Sequence, residues 1–196
     1  MKKFELISEF VTNVFGKKLF RIKALVSFGD VSAGELGGFV EKEENLSNNG
    51  NAWVSGNARV SGDARVSGDA LVSGNAQVSD NAWVSGNAWV SGNALVSGNA
   101  WVSGDALVSG NAQVSGDADF SVVTGFGRCF RATTFFRCKD KILRVQCGCF
   151  YGDLAKFREI VKKTHGDSKY AKEYIAIADL MELHFSDEEE NQEADK

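Results

Sequence analysis

Proline is absent from the 196 residues, histidine occurs only twice, and glycine is concentrated in one repeated segment. No apolar run reaches the roughly 18–20 residues of a membrane span. The Met-Lys-Lys start leads into Phe4-Glu5 and Ser8-Glu9 rather than an apolar core, which reads against a secretory leader. These absences predict a soluble, cytoplasmic protein with no membrane partner. Cysteine is confined to one stretch, as Cys129, Cys138, Cys147 and Cys149, and the spacing matches no common zinc pattern. With only His165 and His184 nearby, no metal is expected, and the thiols read as reduced and partly buried.

Net charge is −4 but unevenly placed. Residues 121–172 carry twelve basic and four acidic side chains, whereas residues 173–196 carry one basic and nine acidic. No arginine/aromatic motif accompanies the basic stretch, so nucleic acid is not an expected partner. The acidic end, Ser186 to Lys196, reads as a solvated, disordered tail.

What is present is a period. Eleven valines, Val54 to Val114, recur at every sixth residue inside the unit Ala-x-Val-Ser-Gly-Asn/Asp. Alanine and valine two apart share one face of a short extended segment, and the intervening variable residue takes the other. The Gly-Asn/Asp pair tolerates left-handed backbone and makes a corner. Strand and corner in alternation give a solenoid, whose turns bury their inner faces only by stacking. The hexad starts earlier, since Val40 and Leu46 are six apart, with an insertion around Asn48-Asn49-Gly50; Phe120 and Phe126 extend the spacing at the other end.

The flanks follow other patterns. Residues 1–38 read as a β cap: Phe20, Ile22, Ala24, Val26 and Phe28 alternate as in a strand, and Phe4–Val11 fits either a second strand or a helix. Residues 39–126 form the solenoid. Residues 127–185 read as a β-hairpin turning at Lys139-Asp140-Lys141 followed by two helices. Asp153 starts the first helix, which buries Leu154, Phe157, Ile160 and Val161 and stops at Gly166; Ser168 starts the second, with Tyr174, Ile175, Ala178 and Met181 on one side.

Val-Ser-Gly-Asn-Ala-x, iterated from about Phe39 to Phe126, resembles the hexapeptide repeat of left-handed parallel β-helix proteins. That resemblance implies a mainly β fold in which three hexapeptides make one triangular coil, and it implies self-association, commonly as a homotrimer. The stretch from Phe20 to Leu25, then Gly29 to Gly38, with Cys147-Gly148-Cys149-Phe150 and Thr164-His165-Gly166-Asp167, resembles hexapeptide-repeat proteins of bacteriophages and prophages. No activity comes with that second likeness.

Sorting the variable slot at intervals of 18 residues gives three outward rows. The first holds Trp53, Leu71, Trp89 and Leu107; the second Arg59, Gln77, Leu95 and Gln113; the third Arg65, Trp83, Trp101 and Asp119. An uninterrupted Trp/Leu ladder is more apolar surface than a monomer leaves bare. The first row is therefore the expected assembly face, covered by another copy, by the C-terminal helix of the same chain, or by a foreign partner. Arg65, Trp83 and Trp101, with Arg59 on the neighbouring row, form the candidate ligand or partner face, suited to a planar anionic ligand such as a nucleotide, or else a second apolar contact surface.

Catalysis finds little support in these residues. Acyltransferases of the resembled class use a histidine between coils as general base, and residues 39–126 contain none. The carbonic anhydrases of that class hold a metal with three histidines, one more than the whole chain has. Antifreeze versions display outward threonine arrays, which this repeat lacks. The repeated serines read as hydroxyl ladders between coils, and Cys147-Gly148-Cys149 with His165 is a weak thiolate–imidazole candidate. The expectation is a non-catalytic scaffold without catalytic residues, cofactor or metal. A phage accessory protein of this kind would bind a host protein or sequester a nucleotide-like ligand, as in counter-defence. The alternative is a divergent hexapeptide acyltransferase taking its histidine from the C-terminal module.

Overall fold

A computed structural model describes residues 2–116 and 119–186. Of the expected acidic tail, 186–196, all but Ser186 lies outside the described residues, as do residues 1, 117 and 118. The chain opens with an antiparallel pair, β1 (Phe4–Thr12) and β2 (Lys18–Ala24), to which β3 (Leu36–Val40) adds antiparallel. Phe4–Val11 is therefore strand, not helix. β3 then pairs parallel with the Arg59–Val60 strand, so the cap and the solenoid share one seven-stranded sheet.

Eleven two-residue strands follow, from β4 (Trp53–Val54) to β14 (Gln113–Val114), each a variable residue and its valine. They build a mainly β solenoid of about four turns, with parallel pairing of Trp53 to Leu71, Leu71 to Trp89 and Trp89 to Leu107. The same offset joins Arg59, Gln77, Leu95 and Gln113, and Arg65, Trp83 and Trp101. Every repeat alanine and valine from Ala52 to Val114 is buried, which is what the inward Ala/Val pair requires. The corner glycines from Gly50 to Gly110 hold positive φ; at Gly92, with φ of 69°, a Cβ would also lie 2.9 Å from the nitrogen of Gly110 in the next turn. Asp80 stands at one such corner with φ of 60°, a conformation aspartate tolerates better than most residues.

Most backbone bonds between turns run one way; the exception is the valine N–H, which in the parallel pairing of Trp53 with Leu71 and Val54 with Val72 donates back to the variable residue of the preceding turn. Trp53, Leu71 and Trp89 donate their N–H groups to the carbonyls of Ala70, Ala88 and Ala106 at 2.8–3.0 Å. Each turn thus donates chiefly toward the C-terminal end and accepts chiefly from the N-terminal side. The solenoid's first turn is left mainly with open carbonyls and its last mainly with open N–H groups.

Val40 and Leu46 do begin the buried rows, pairing with Val60 and Val66, an offset two residues longer than the rest because of the insertion before Gly50. Phe120 and Phe126 do not extend them. Phe120 instead opens β15 (Phe120–Val123), the first strand of an antiparallel sheet with β16 (Thr133–Arg137), β17 (Leu143–Cys147) and β18 (Phe150–Asp153). The hairpin between β16 and β17 turns at Lys139-Asp140-Lys141, with Lys141 at φ 61°. Helices α1 (Leu154–His165) and α2 (Lys169–His184) start at Asp153 and Ser168, whose side chains accept from the N–H groups of Lys156 and Ala171.

Strand β16 separates two cores. Its alternate side chains point to opposite faces: Phe136 closes the solenoid core, and Phe135 packs at 6.2 Å, edge to face, on Phe157 of α1. α2 lies on α1, burying Ala171, Tyr174, Ile177, Ala178 and Met181. Ile177 takes the central place assigned from sequence to Ile175, which is only half-buried.

Candidate binding faces

The first row is not an uninterrupted ladder. Trp53 is 3% exposed, lying under the N-terminal cap with Phe28 edge-on at 5.5 Å. Gly37 makes this possible, since a Cβ there would sit 2.7 Å from the Trp53 ring. The Trp53 indole nitrogen is buried without an acceptor. At the other end Leu107 is half-buried and donates its N–H to Thr134 Oγ1 of β16 at 3.0 Å. Leu71 and Trp89 remain, 42% and 47% exposed. The C-terminal helix does not cover them; α2 is spent on α1 and the inner face of the antiparallel sheet.

The third row brings Trp83 and Trp101 together as the sequence suggests. Their rings stack at 5.4 Å with planes 10° apart, and they are 44% and 52% exposed. Both indole N–H groups reach back to serines of the preceding turn, Trp83 to Ser67 at 3.0 Å and Trp101 to Ser85 at 3.2 Å; Trp89 does the same with Ser73. The polar edge of each ring is thereby satisfied and its rotamer fixed, so ring surface is what faces outward. Arg65 pairs with Trp83 in register, but Glu43 and Glu44 line the same cleft, of about 410 Å³. That cleft is not selectively electropositive. Asp119, sorted onto this row by spacing, is no outward residue: its carboxylate accepts from the Ser115 and Gly116 N–H groups at 2.8 and 3.1 Å and from the Ser115 hydroxyl.

Ser67, Ser73 and Ser85 are acceptors for indoles, and among the described residues no serine-to-serine bond forms the cross-turn ladder expected of them. The ladder is asparagine: Asn57 to Asn75, Asn75 to Asn93 and Asn93 to Asn111, Nδ2 to Oδ1 at 3.2–3.4 Å. Arg59, on the second row, faces the β1–β2 turn in a separate cleft with Phe15, Lys17 and Gln77.

Sequence reasoning missed a further cleft of about 590 Å³, where the second row meets the β16–β17 hairpin. Gln77, Leu95 and Gln113 form its floor, Asn93 and Asn111 one side, and Lys139, Arg144 and Tyr151 the other. Phe136 and Arg144 are cross-strand partners, which puts Arg144 on the solenoid side of the sheet. Burial pushes the thiol of Cys138 and the phenol of Tyr151 up.

The cysteine–histidine candidate is only half assembled. Cys147 and His165 line one small cavity with Cys129 and Tyr174, but Cys149 is exposed and not among its lining residues. Cys147 accepts from the Thr133 hydroxyl at 3.2 Å, and His165 lies over Tyr174 at 5.9 Å. Burial, with Cys147 beside it, pushes Tyr174 up to about 12. Among the described residues no cluster of three or more His, Cys, Asp or Glu could hold a metal ion, and no helix is long and apolar enough to cross a membrane.

Residues 52–67, 64–80, 76–92, 88–104 and 100–116 each match the family model of the YdcK beta solenoid repeat. Together they cover about a third of the chain, the part whose strands are two residues long and whose register never slips. The chain is similar to that repeat there. Searched against curated proteins, the sequence has no match.

Proposed function

We propose that the protein is a non-catalytic binding scaffold, a left-handed solenoid with three hexapeptides per coil that presents fixed indoles on two adjacent faces. The observation that carries this reading is the Trp83–Trp101 stack, half-exposed and locked by bonds to Ser67 and Ser85. Ordering these side chains costs nothing further at the moment of contact, because the fold has already done it. Immobilised tryptophan is also the residue type that dominates contact energy at protein interfaces.

In this reading Leu71 and Trp89 form the contact between copies in a homo-oligomer, a trimer by the likeness to hexapeptide-repeat proteins. Trp83 and Trp101 take the partner. Glu43 and Glu44 beside Arg65 favour an apolar protein surface there over an anionic nucleotide. The phage-like flanks make a host protein the natural candidate. A binding role is preferred to acyl transfer because His165 packs on Tyr170 and Tyr174, and His184 on Phe185, within the helical module. Neither imidazole is among the residues lining the three clefts described above along the solenoid strands.

Nitrogen-15 spectra of the four indole N–H groups with a soluble paramagnetic probe test the reading. At low concentration Trp83, Trp89 and Trp101 should broaden and Trp53 should not. Raising the protein concentration should shield Trp89 alone. Broadening of all four alike, or a Trp89 that no concentration shields, contradicts it.

A further inference from the structure

We infer that the cleft between the second solenoid row and the β16–β17 hairpin binds a small hydroxylated monocarboxylate, of the size and chemistry of an acidic monosaccharide. The site is distinct from the indole faces and independent of their reading. Its volume, about 590 Å³, lies in the range of small-molecule sites. Four carboxamides, Gln77, Asn93, Asn111 and Gln113, converge on it. Gln77 and Gln113 offer both donors and an acceptor, the pairing that vicinal hydroxyls need, and the asparagines add the amide hydrogens that their ladder does not use.

The asparagine ladder gives the site a direction. Each rung donates Nδ2 to the Oδ1 of the next, and the series ends at Asn111. The Nδ2 of Asn111 therefore has no further rung to donate to, and it ends at the cleft. Leu95, half-buried between Gln77 and Gln113 in register, supplies a small apolar patch on which the C–H face of a sugar ring can rest. Tyr151 stands opposite, with the ring partly exposed.

The charges select the carboxylate. Lys139 and Arg144 face one acid, Asp140, leaving one net positive charge in the lining. Arg144 gives Nη2 to Asp140 at 2.6 Å, while its Nη1 is enclosed in the wall without an acceptor. The guanidinium charge is thus only partly compensated, in a wall of low dielectric where it acts more strongly than in water. A single negative charge on the ligand neutralises the cleft; a dianion would overshoot it.

The test uses D-glucuronate and D-galacturonate as probes, with D-glucose and inorganic phosphate as comparators. Side-chain amide shifts of Gln77, Asn111 and Gln113 report binding in the full chain. A uronate should shift these signals with millimolar affinity, glucose at least tenfold more weakly, and phosphate without saturating them. Arg144→Gln should weaken the uronate at least tenfold and Gln113→Ala at least threefold, with Lys156→Ala, exposed on α1, unchanged. If Arg144→Gln does not fold, Lys139→Gln, in the exposed turn, should weaken binding at least threefold. No shift with either uronate, equal binding of glucose, saturable phosphate binding at the same amides, or indifference to Gln113→Ala overturns the proposal. None of these outcomes bears on Trp83, Trp89 or Trp101.

Discussion

The two ends of the solenoid are closed by opposite chemistry. At the N-terminal end most open groups are carbonyls, and donors meet them one by one, while the Gly62 N–H, also open there, is taken by the Glu41 carboxylate at 2.8 Å. Lys3 Nζ reaches Ala52 and Gly50, and the Phe39, Glu41 and Ser47 N–H groups take Ala58, Val60 and Val66. Asn45 Nδ2 serves Gly62 and Ala64 at 3.1 and 2.8 Å. At the C-terminal end most open groups are N–H, and acceptors meet them: Thr134 Oγ1 takes Leu107, and the Asp119 carboxylate takes Ser115 and Gly116, while the Lys139 N–H caps the Asn111 carbonyl. A parallel solenoid has a direction, so its caps cannot be interchanged. The cap that continues the sheet through β3 lies at the carbonyl end, and the one that crosses the last turn with antiparallel strands lies at the N–H end.

Breaking the donor cap should hurt most. Asn45 is wholly buried and also accepts from Lys42, so Asn45→Ala strands two carbonyls and should lower the unfolding free energy by about 3 kcal/mol in urea titration. Lys3 gives the donor cap a pH signature. Burial, opposed by the attraction of Asp69, holds its ammonium at about 8. Between that value and the unfolded value near 10.5 the unfolded chain keeps more protons, so stability rises with pH. Relative to Lys3→Met, the wild type should gain at most about 3 kcal/mol across that window and nothing below it.

The acceptor cap should respond less. Asp119→Ala removes three bonds from an end that water can reach, and the expected loss is about 2 kcal/mol. Thr134→Val keeps the shape and deletes one acceptor, for about 1 kcal/mol. If Thr134→Val costs as much as Asn45→Ala, the distinction between the two ends fails.

Much of this architecture was legible in the residues. The hexad, the hairpin at Lys139-Asp140-Lys141 and the helix starts at Asp153 and Ser168 are local signals, written within a few positions of where they act. What was not legible depends on segments distant in sequence. Trp53 and Trp89 occupy the same slot in the same repeat, yet one is buried because Phe28 and Gly37 fold over it and the other has no such neighbour. Asp119 fits the outward spacing but turns back to cap Ser115, since no further turn follows to use that N–H. The cleft at Gln77 and Gln113 exists only because the hairpin returns to the second row, which no period in the sequence announces.

The indole faces yield to one measurement, absolute mass by light scattering on wild type, Trp89→Glu and Trp101→Glu. If Leu71 and Trp89 join copies of the chain, the wild type is an oligomer, Trp89→Glu falls to the 21.2 kDa monomer, and Trp101→Glu keeps the wild-type mass. A wild-type monomer, or an oligomer untouched by Trp89→Glu, would contradict assembly through that face.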